Sequence, residues 1–522
     1  MRNQNDQSFD DWSTVGTTVT SNTVDTEAFV KVEGLQTLTL SVTPSNDSIG
    51  FLSEQKTAKV CVHMKACDLP EDDGTKRPPV DIISTLDISG SMAGEKLANC
   101  KRTLQMMMRH LTSKDRFGLV TYGDAANVVI PACYMTEDNK ERALQKIKAI
   151  RTVGCTNLSG GLFLSLQEMK LIEKPNPVRS IFLLTDGMAN VGITDTSGLI
   201  GIVKSFNEIP APTKEVHKMN IEEGTASMDT KPKTIAFTNE SPISLFCFGY
   251  GANHNSDMLQ KISDEAPGGA YYFVENDSDV TSAFGDAMGG ILSVVAQSTV
   301  VTLSVPPQAA AKGVQILDVY HKEQIKRDNG SFTVNIGDFY AEETRDIVFE
   351  ISLSNAPNDA SVPHVHVSLS YMDTLNKRAA SLGPLECLIK RPATAGISPT
   401  NADVEAQWLR VRVIQDIEAA NREAQKNNFA GARSRMGGSL AACSVAFGHS
   451  PKIAMALQGD VEEVMRGFSS PSQYLSHGVH VVANKGKYLR EQRSMESNAS
   501  TTNIYRGKKK ARLAKSFASN PK

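Results

Sequence analysis

The chain has 522 residues, yet it contains no apolar run approaching the ~20 residues a helix needs to cross a bilayer, so no transmembrane segment is expected. Its eight cysteines, at 61, 67, 100, 133, 155, 247, 387 and 443, include no Cys-x-x-Cys pair, which removes the common zinc and dithiol motifs. Cys100 and Cys247 fall in apolar periodic segments and are expected to be small buried hydrophobes. Neither Gly-x-Gly-x-x-Gly nor Gly-x-x-x-x-Gly-Lys-Ser/Thr occurs. Gly94 and the Gly160-Gly161 pair therefore lack the context of a nucleotide cradle. A formal net charge of −3 gives no reason to expect specific nucleic-acid binding. The start, Met1-Arg-Asn-Gln-Asn-Asp, lacks the apolar core of a secretory signal, and a cytoplasmic location with free thiols is expected.

What is present is ordinary globular material, 40% hydrophobic and 22% charged, long enough for two or three domains. Residues 1–35 are polar and acidic and are expected to be disordered. Segment 36–77 holds two strand-like runs, Leu38–Val42 and Ala58–Met64, and then a Pro- and charge-rich linker at 69–79. From 78 to 295, apolar runs alternate with amphipathic segments of ten to fifteen residues. That alternation predicts an α/β domain with a doubly wound, mainly parallel sheet. About thirty polar residues near 210–240 interrupt it as a disordered insertion.

From 296 to 397 the helical period gives way to short strands, including Thr299–Val305, Asp346–Leu353 and His364–Tyr371. Two early strands cannot form a stable unit alone. They are expected to pair with these later ones, leaving the α/β domain inserted in an antiparallel β-sandwich. His364 and His366 share a strand face without a third ligand, which predicts a packed or solvated face. Residues 400–467 return to helix, with Val404, Trp408, Val411, Ile414 and Ile417 on one face, and 402–467 reads as a helical hairpin. Residues 468–522 read as a mostly flexible basic tail, with eleven Lys or Arg against two Glu from 485 onward. Its Lys508-Lys509-Lys510-Ala511-Arg512 cluster suits an anionic membrane or a nuclear address.

The chemistry concentrates at Asp87-Ile-Ser89-Gly-Ser91, a carboxylate and two hydroxyls between the apolar strand Val80–Leu86 and a helix beginning near Gly94. With no base beside them they make a poor nucleophile. They make a good set of hard oxygen ligands for a cation such as Mg²⁺. Thr156, in Gly154-Cys-Thr-Asn-Leu-Ser-Gly-Gly161, opens a second helix, and Asp186 ends the apolar strand Ile181–Thr185 ahead of Gly187. Taken one at a time, these residues are also ordinary helix caps and turn residues. In a doubly wound sheet, however, all five fall at one carboxyl edge.

The ordered set Asp-x-Ser-x-Ser, distant Thr, distant Asp-Gly resembles the von Willebrand factor A domain and its metal-ion-dependent adhesion site. The resemblance implies direct ligation by Ser89 and Ser91, direct or water-mediated ligation by Thr156, and action of Asp87 and Asp186 largely through coordinated water. It implies Mg²⁺, with Mn²⁺ or Ca²⁺ as alternatives, and a partner protein presenting Asp or Glu to the remaining position. The strands on both sides and the helical region look like the architecture of plant von Willebrand A–RING ubiquitin ligases. The run Asn427-Asn-Phe-Ala-Gly-Ala-Arg433 and Tyr474-Leu-Ser476 are similar in kind to that region. No cysteine precedes Cys61, so the zinc ligands of a RING are not matched and ligase activity is not carried over. The expected function is a non-enzymatic, intracellular adaptor. The alternatives are a non-RING subunit of a ubiquitin-ligase complex and a metal-dependent phosphohydrolase using Asp87.

Overall fold

The computed structural model describes residues 36–69, 77–187, 189–205, 242–251, 254–266, 268–274, 277–321, 324–327, 329–446, 448, 450–493, 507–508, 510–512 and 515. The expected disordered segment 1–35, the insertion at 210–240 and most of the linker at 69–79 lie outside them. The chain begins with β1 (Leu38–Pro44) and β2 (Thr57–Ala66), paired antiparallel. It then enters the α/β unit, whose strands are β3 (Val80–Asp87), β4 (Arg116–Tyr122), β5 (Ala126–Tyr134), β6 (Val178–Thr185), β7 (Ile243–Tyr250) and β8 (Ala270–Val274). Their order is β5-β4-β3-β6-β7-β8, with β5 alone antiparallel to its neighbour. Every residue of β3, β6 and β7 is buried, as a parallel sheet covered on both faces requires.

The covering helices are α1 (Glu95–His110), α2 (Glu137–Ala149), α3 (Leu158–Lys170), α4 (Thr196–Lys204), α5 (Ser256–Asp264) and α6 (Asp277–Ile291). Leu104, Ile147, Phe284 and Met288 from α1, α2 and α6 join one apolar core with Phe182 and Phe248. Leu162, Leu199 and Leu259 from α3, α4 and α5 join the other with Ile83 and Leu183. The chain moves from β3 to β4 on one side, then returns to place β6 on the other. The β3/β6 boundary is therefore the switch point, and Asp87 and Asp186 stand at its carboxyl end.

The sandwich adds β9 (Val294–Ser304), β10 (Ile316–Val319), β11 (Gln324–Lys326), β12 (Phe332–Tyr340), β13 (Thr344–Ser352), β14 (Asn358–Asp373) and β15 (Arg378–Arg391). Its sheets run β1-β2-β13-β10 and β11-β12-β9-β14-β15. The β2–β13 register, Val62 opposite Ile347, ties the early strands to the later ones and makes the α/β unit an insertion. His364 is buried with its ring turned to the Val362 carbonyl, and His366 lies beside Glu386, so the pair is packed and not joined.

Two expectations are corrected beyond the sandwich. Residues 402–467 form three helices, α7 (Ala402–Gln425), α8 (Phe429–Ala446) and α9 (Pro451–Gly467), and not a hairpin. Asn427 at positive φ breaks the first junction, and Pro451 starts the third helix. The segment 468–493 is not tail: α10 (Val479–Glu491) packs Val481, Val482 and Leu489 into the helical core. Two of its lysines are buried counter-ions, Lys485 to Asp460 at 2.9 Å and Lys487 to Asp264 at 2.5 Å. Farther on, Lys510 is buried against Asp286 at 2.9 Å, which withdraws it from any membrane-facing cluster.

The three parts meet at a polar seam. Arg410 of α7 donates to the Leu489 carbonyl at 2.8 Å and to the Asp346 carbonyl at 3.0 Å. A cavity of about 530 Å³ opens there, lined by Gly268 of the α/β unit, Arg345 of the sandwich, and Arg410 and Arg493 of the helical part. Nearer the sheet edge, Phe273 stacks on His480 of α10 at 4.3 Å between ring centroids, and His254 lies 5.1 Å from the same ring. His254 also contacts the Gly251 carbonyl and the Tyr271 hydroxyl.

Burial first, and then His480, push the His254 ring down from the ordinary 6.5 to about 4. A histidine lowered on folding stabilises the protein fully above its unfolded pKa and less as pH falls toward the folded one. Thermal melting between pH 7 and 4.5 should therefore show wild type losing stability relative to His254→Gln. The difference should approach about 3 kcal/mol at the acid end. Parallel pH curves for the two proteins would remove His254 as the group responsible.

Candidate functional site

Asp87 is the last residue of β3, and its fully buried carboxylate is held on both oxygens. The Ser89 N–H donates to Oδ1 at 2.9 Å and the Thr185 hydroxyl donates to Oδ2 at 2.7 Å. The chain then turns through a short 3₁₀ segment, Gly90–Met92, before α1 starts. This turn places Ser89 Oγ 3.1 Å from Ser91 Oγ. Ser91 Oγ donates to Asp186 Oδ1 at 2.7 Å. A hydroxyl has one proton to give, so Ser89 is the donor to Ser91, and a chain of hydrogen bonds runs from Ser89 through Ser91 to Asp186.

Thr156 arrives on the loop ahead of α3. Its N–H donates to Asn190 Oδ1 at 2.8 Å, and its carbonyl accepts from the Asn190 N–H at 3.1 Å. Gly123 gives this loop room: a Cβ there would stand 2.4 Å from the Val153 carbonyl. Gly187 marks the convergence, because a Cβ on it would lie 3.5 Å from Thr156 Oγ1 and 3.9 Å from Ser91 Oγ. The five residues predicted from sequence are thus brought together at the ends of two adjacent strands. Asp87, Ser89, Thr156 and Asp186 are buried, and Ser91 is exposed at the mouth.

The electrostatics favour a cation. Burial pushes the Asp87 carboxyl above the ordinary 3.8, the nearby Asp186 charge adds to this, and the bonds from Thr185 and Ser89 work against it. Repulsion between two buried carboxylates is eased by positive charge beside them, which the Lys96 ammonium supplies at Asp186 in this structure and which a cation among the hydroxyls would supply more strongly. Among the described residues, no cluster of three or more His, Cys, Asp or Glu side chains could hold a metal. The donors that do converge here are three hydroxyls backed by two carboxylates. Such a set fits a small, hard divalent ion that keeps part of its water.

Sequence reasoning missed Thr185, which anchors Asp87, and Lys96, whose ammonium is paired with Asp186 Oδ2 and lies 3.4 Å from the Ser91 carbonyl. Lys96 stands in the first turn of α1, where a cation is mildly opposed by the helix dipole, a weak signal that does not say which carboxylate it reaches.

The family model for the von Willebrand factor type A domain matches residues 81–286. The chain is 24% identical over 280 residues to the uncharacterized protein YfbK of Escherichia coli (strain K12), covering 53% of this chain and 42% of that protein. It is 23% identical over 290 residues to the E3 ubiquitin-protein ligase WAV3 of Arabidopsis thaliana, covering 55% of this chain and 33% of that one. It thus spans less than half the length of either relative. The solved structure of a von Willebrand factor type A protein from Catenulispora acidiphila superposes with a TM-score of 0.52 at 16% identity, covering 81% of this chain and 89% of that one. The matched segment is the one that folds as the inserted, helix-covered sheet, and the chain carries a von Willebrand factor type A domain at residues 81–286.

Proposed function

We propose that the chain is a non-catalytic, divalent-cation-dependent protein-binding adaptor whose contact point is the Asp87–Ser91 turn with Thr156 and Asp186. The observation that carries this reading is the convergence of the Ser91 and Thr156 hydroxyls over Gly187, with a buried carboxylate behind them. Asp87 orients the turn through the Ser89 N–H, and Asp186 accepts the Ser91 hydroxyl's hydrogen bond, leaving hydroxyl lone pairs for the ion. A bound Mg²⁺ would supply a coordination position open to an Asp or Glu of the partner. Nucleophilic chemistry has little support: the hydroxyls of Ser89 and Ser91 pair with each other and with Asp186, and among the described residues no histidine is one of their partners. An intracellular setting, cytoplasmic or nuclear, is part of the same reading, and its support is the set of eight free thiols.

The test is affinity capture from a lysate of the source cells in Mg²⁺, repeated with EDTA and with Asp87→Ala. Proteins released by chelation and absent from the variant support the reading. The same proteins bound in EDTA would sink it. The similarity to WAV3 favours a second reading, a ubiquitin-ligase subunit that relies on a partner's RING. A RING protein among the captured partners would distinguish it.

A further inference from the structure

From the place of Lys96 in the structure, we infer that this residue is a built-in counter-cation that holds Asp186 when no ion is bound, and that its competition makes the site selective for divalent over monovalent cations. The inference rests on the reading of the Asp87–Asp186 cluster as a cation site. Asp186 is fully buried at its side chain, and the Ser91 hydroxyl occupies only one of its oxygens. The other oxygen takes the Lys96 ammonium, which is also within 3.4 Å of the Ser91 carbonyl. The ammonium thus reaches the same carboxylate that backs the three hydroxyls.

Lys96 belongs to the second residue position of α1, where its charge opposes the helix dipole, so the helix itself does not favour it there. Its side chain is 42% exposed, and its four methylenes let the charge swing outward. A divalent ion among Ser89, Ser91 and Thr156 would put like charges around one carboxylate, and the movable one must leave. A sodium or potassium ion carries no more charge than the ammonium and must compete with a tethered group at high effective concentration. A divalent ion gains twice the Coulomb attraction and can displace it. The simpler alternative is a helix-surface ion pair with no bearing on ion binding.

Titration of the full-length chain with Mn²⁺, followed by calorimetry, separates the two. Lys96→Met and Lys96→Gln should bind Mn²⁺ about tenfold more tightly than wild type, and Lys96→Arg should stay near the wild-type value. Exchanging sodium for a bulky organic cation should leave wild type unchanged and tighten Mn²⁺ binding further in Lys96→Met. In EDTA, Lys96→Met should melt several degrees below wild type, and saturating Mn²⁺ should restore the midpoint. Equal Mn²⁺ affinity in wild type and Lys96→Met overturns the inference and leaves the cation site standing. No Mn²⁺ binding by wild type overturns both.

Discussion

Asp87→Ala should weaken Mg²⁺ or Mn²⁺ binding by about 100-fold while leaving the metal-free protein folded. The two halves of this result have separate causes. The substitution removes one of two carboxylates and frees the turn that aims Ser89, because the Ser89 N–H and the Thr185 hydroxyl lose their acceptor. Those lost bonds cost about 1 kcal/mol each. Against this, the variant no longer buries a carboxylate whose pKa is raised first by desolvation and further by Asp186. The balance predicts a small change in melting point in EDTA. It also predicts loss of the increment that ligand adds, which for wild type is about 2.7 kcal/mol at a hundred times the dissociation constant. Differential scanning calorimetry with and without Mg²⁺ reads both. Asp87→Asn preserves shape and an acceptor for Ser89, so it isolates the charge. If either variant kept the full Mg²⁺ increment, Asp87 would have no part in the site.

The largest stability effect should come from Glu343→Gln, far from that site. Glu343 Oε1 accepts from Arg345 at 3.1 Å and from Arg493 at 3.2 Å, and Oε2 accepts from the Tyr340 N–H at 2.9 Å. All three charged side chains are buried. Burial, and then the neighbouring Arg493, already hold the Arg345 guanidinium below its ordinary range. Neutralising Glu343 removes the carboxylate that both buried guanidiniums share and leaves them with carbonyl hydrogen bonds and the more remote Glu491 and Asp338 charges, which costs about 3–5 kcal/mol. Denaturant melts should show that loss, and Glu343→Gln combined with Arg493→Met should recover part of it by removing one of the stranded charges. A single variant as stable as wild type would mean the guanidiniums are paired well enough without Glu343.

The candidate site was largely legible in the sequence because its residues punctuate regular elements. Asp87 and Asp186 end apolar strands, Ser89 and Ser91 precede a helix, and Thr156 precedes another, so strand and helix signals alone bring them to one edge. Lys96 and Thr185 were not legible in the same way, since what matters is which carboxylate each side chain reaches. Among the elements, β15 falls within the 296–397 segment read as sandwich, but its run was not singled out, for a local reason. Its edge position leaves alternate residues exposed, and Gly383-Pro384 interrupts the apolar alternation that Leu385, Cys387 and Ile389 continue. Helix α10 was hidden by its lysines, which usually mark solvent. The acids that neutralise them, Asp460 and Asp264, are distant in sequence and become neighbours only in the folded chain.

The insertion also has a mechanical consequence. The α/β unit meets the sandwich at the amino end of its sheet, where Gly268, ahead of β8, sits beside Asp338. Asp87 lies one strand length away, about 25 Å for eight residues. A partner pulling on that tip while the sandwich is held would load β3 lengthwise. Its ladders to β4 and β6 would then share the force in shear, with many hydrogen bonds strained together rather than opened one after another.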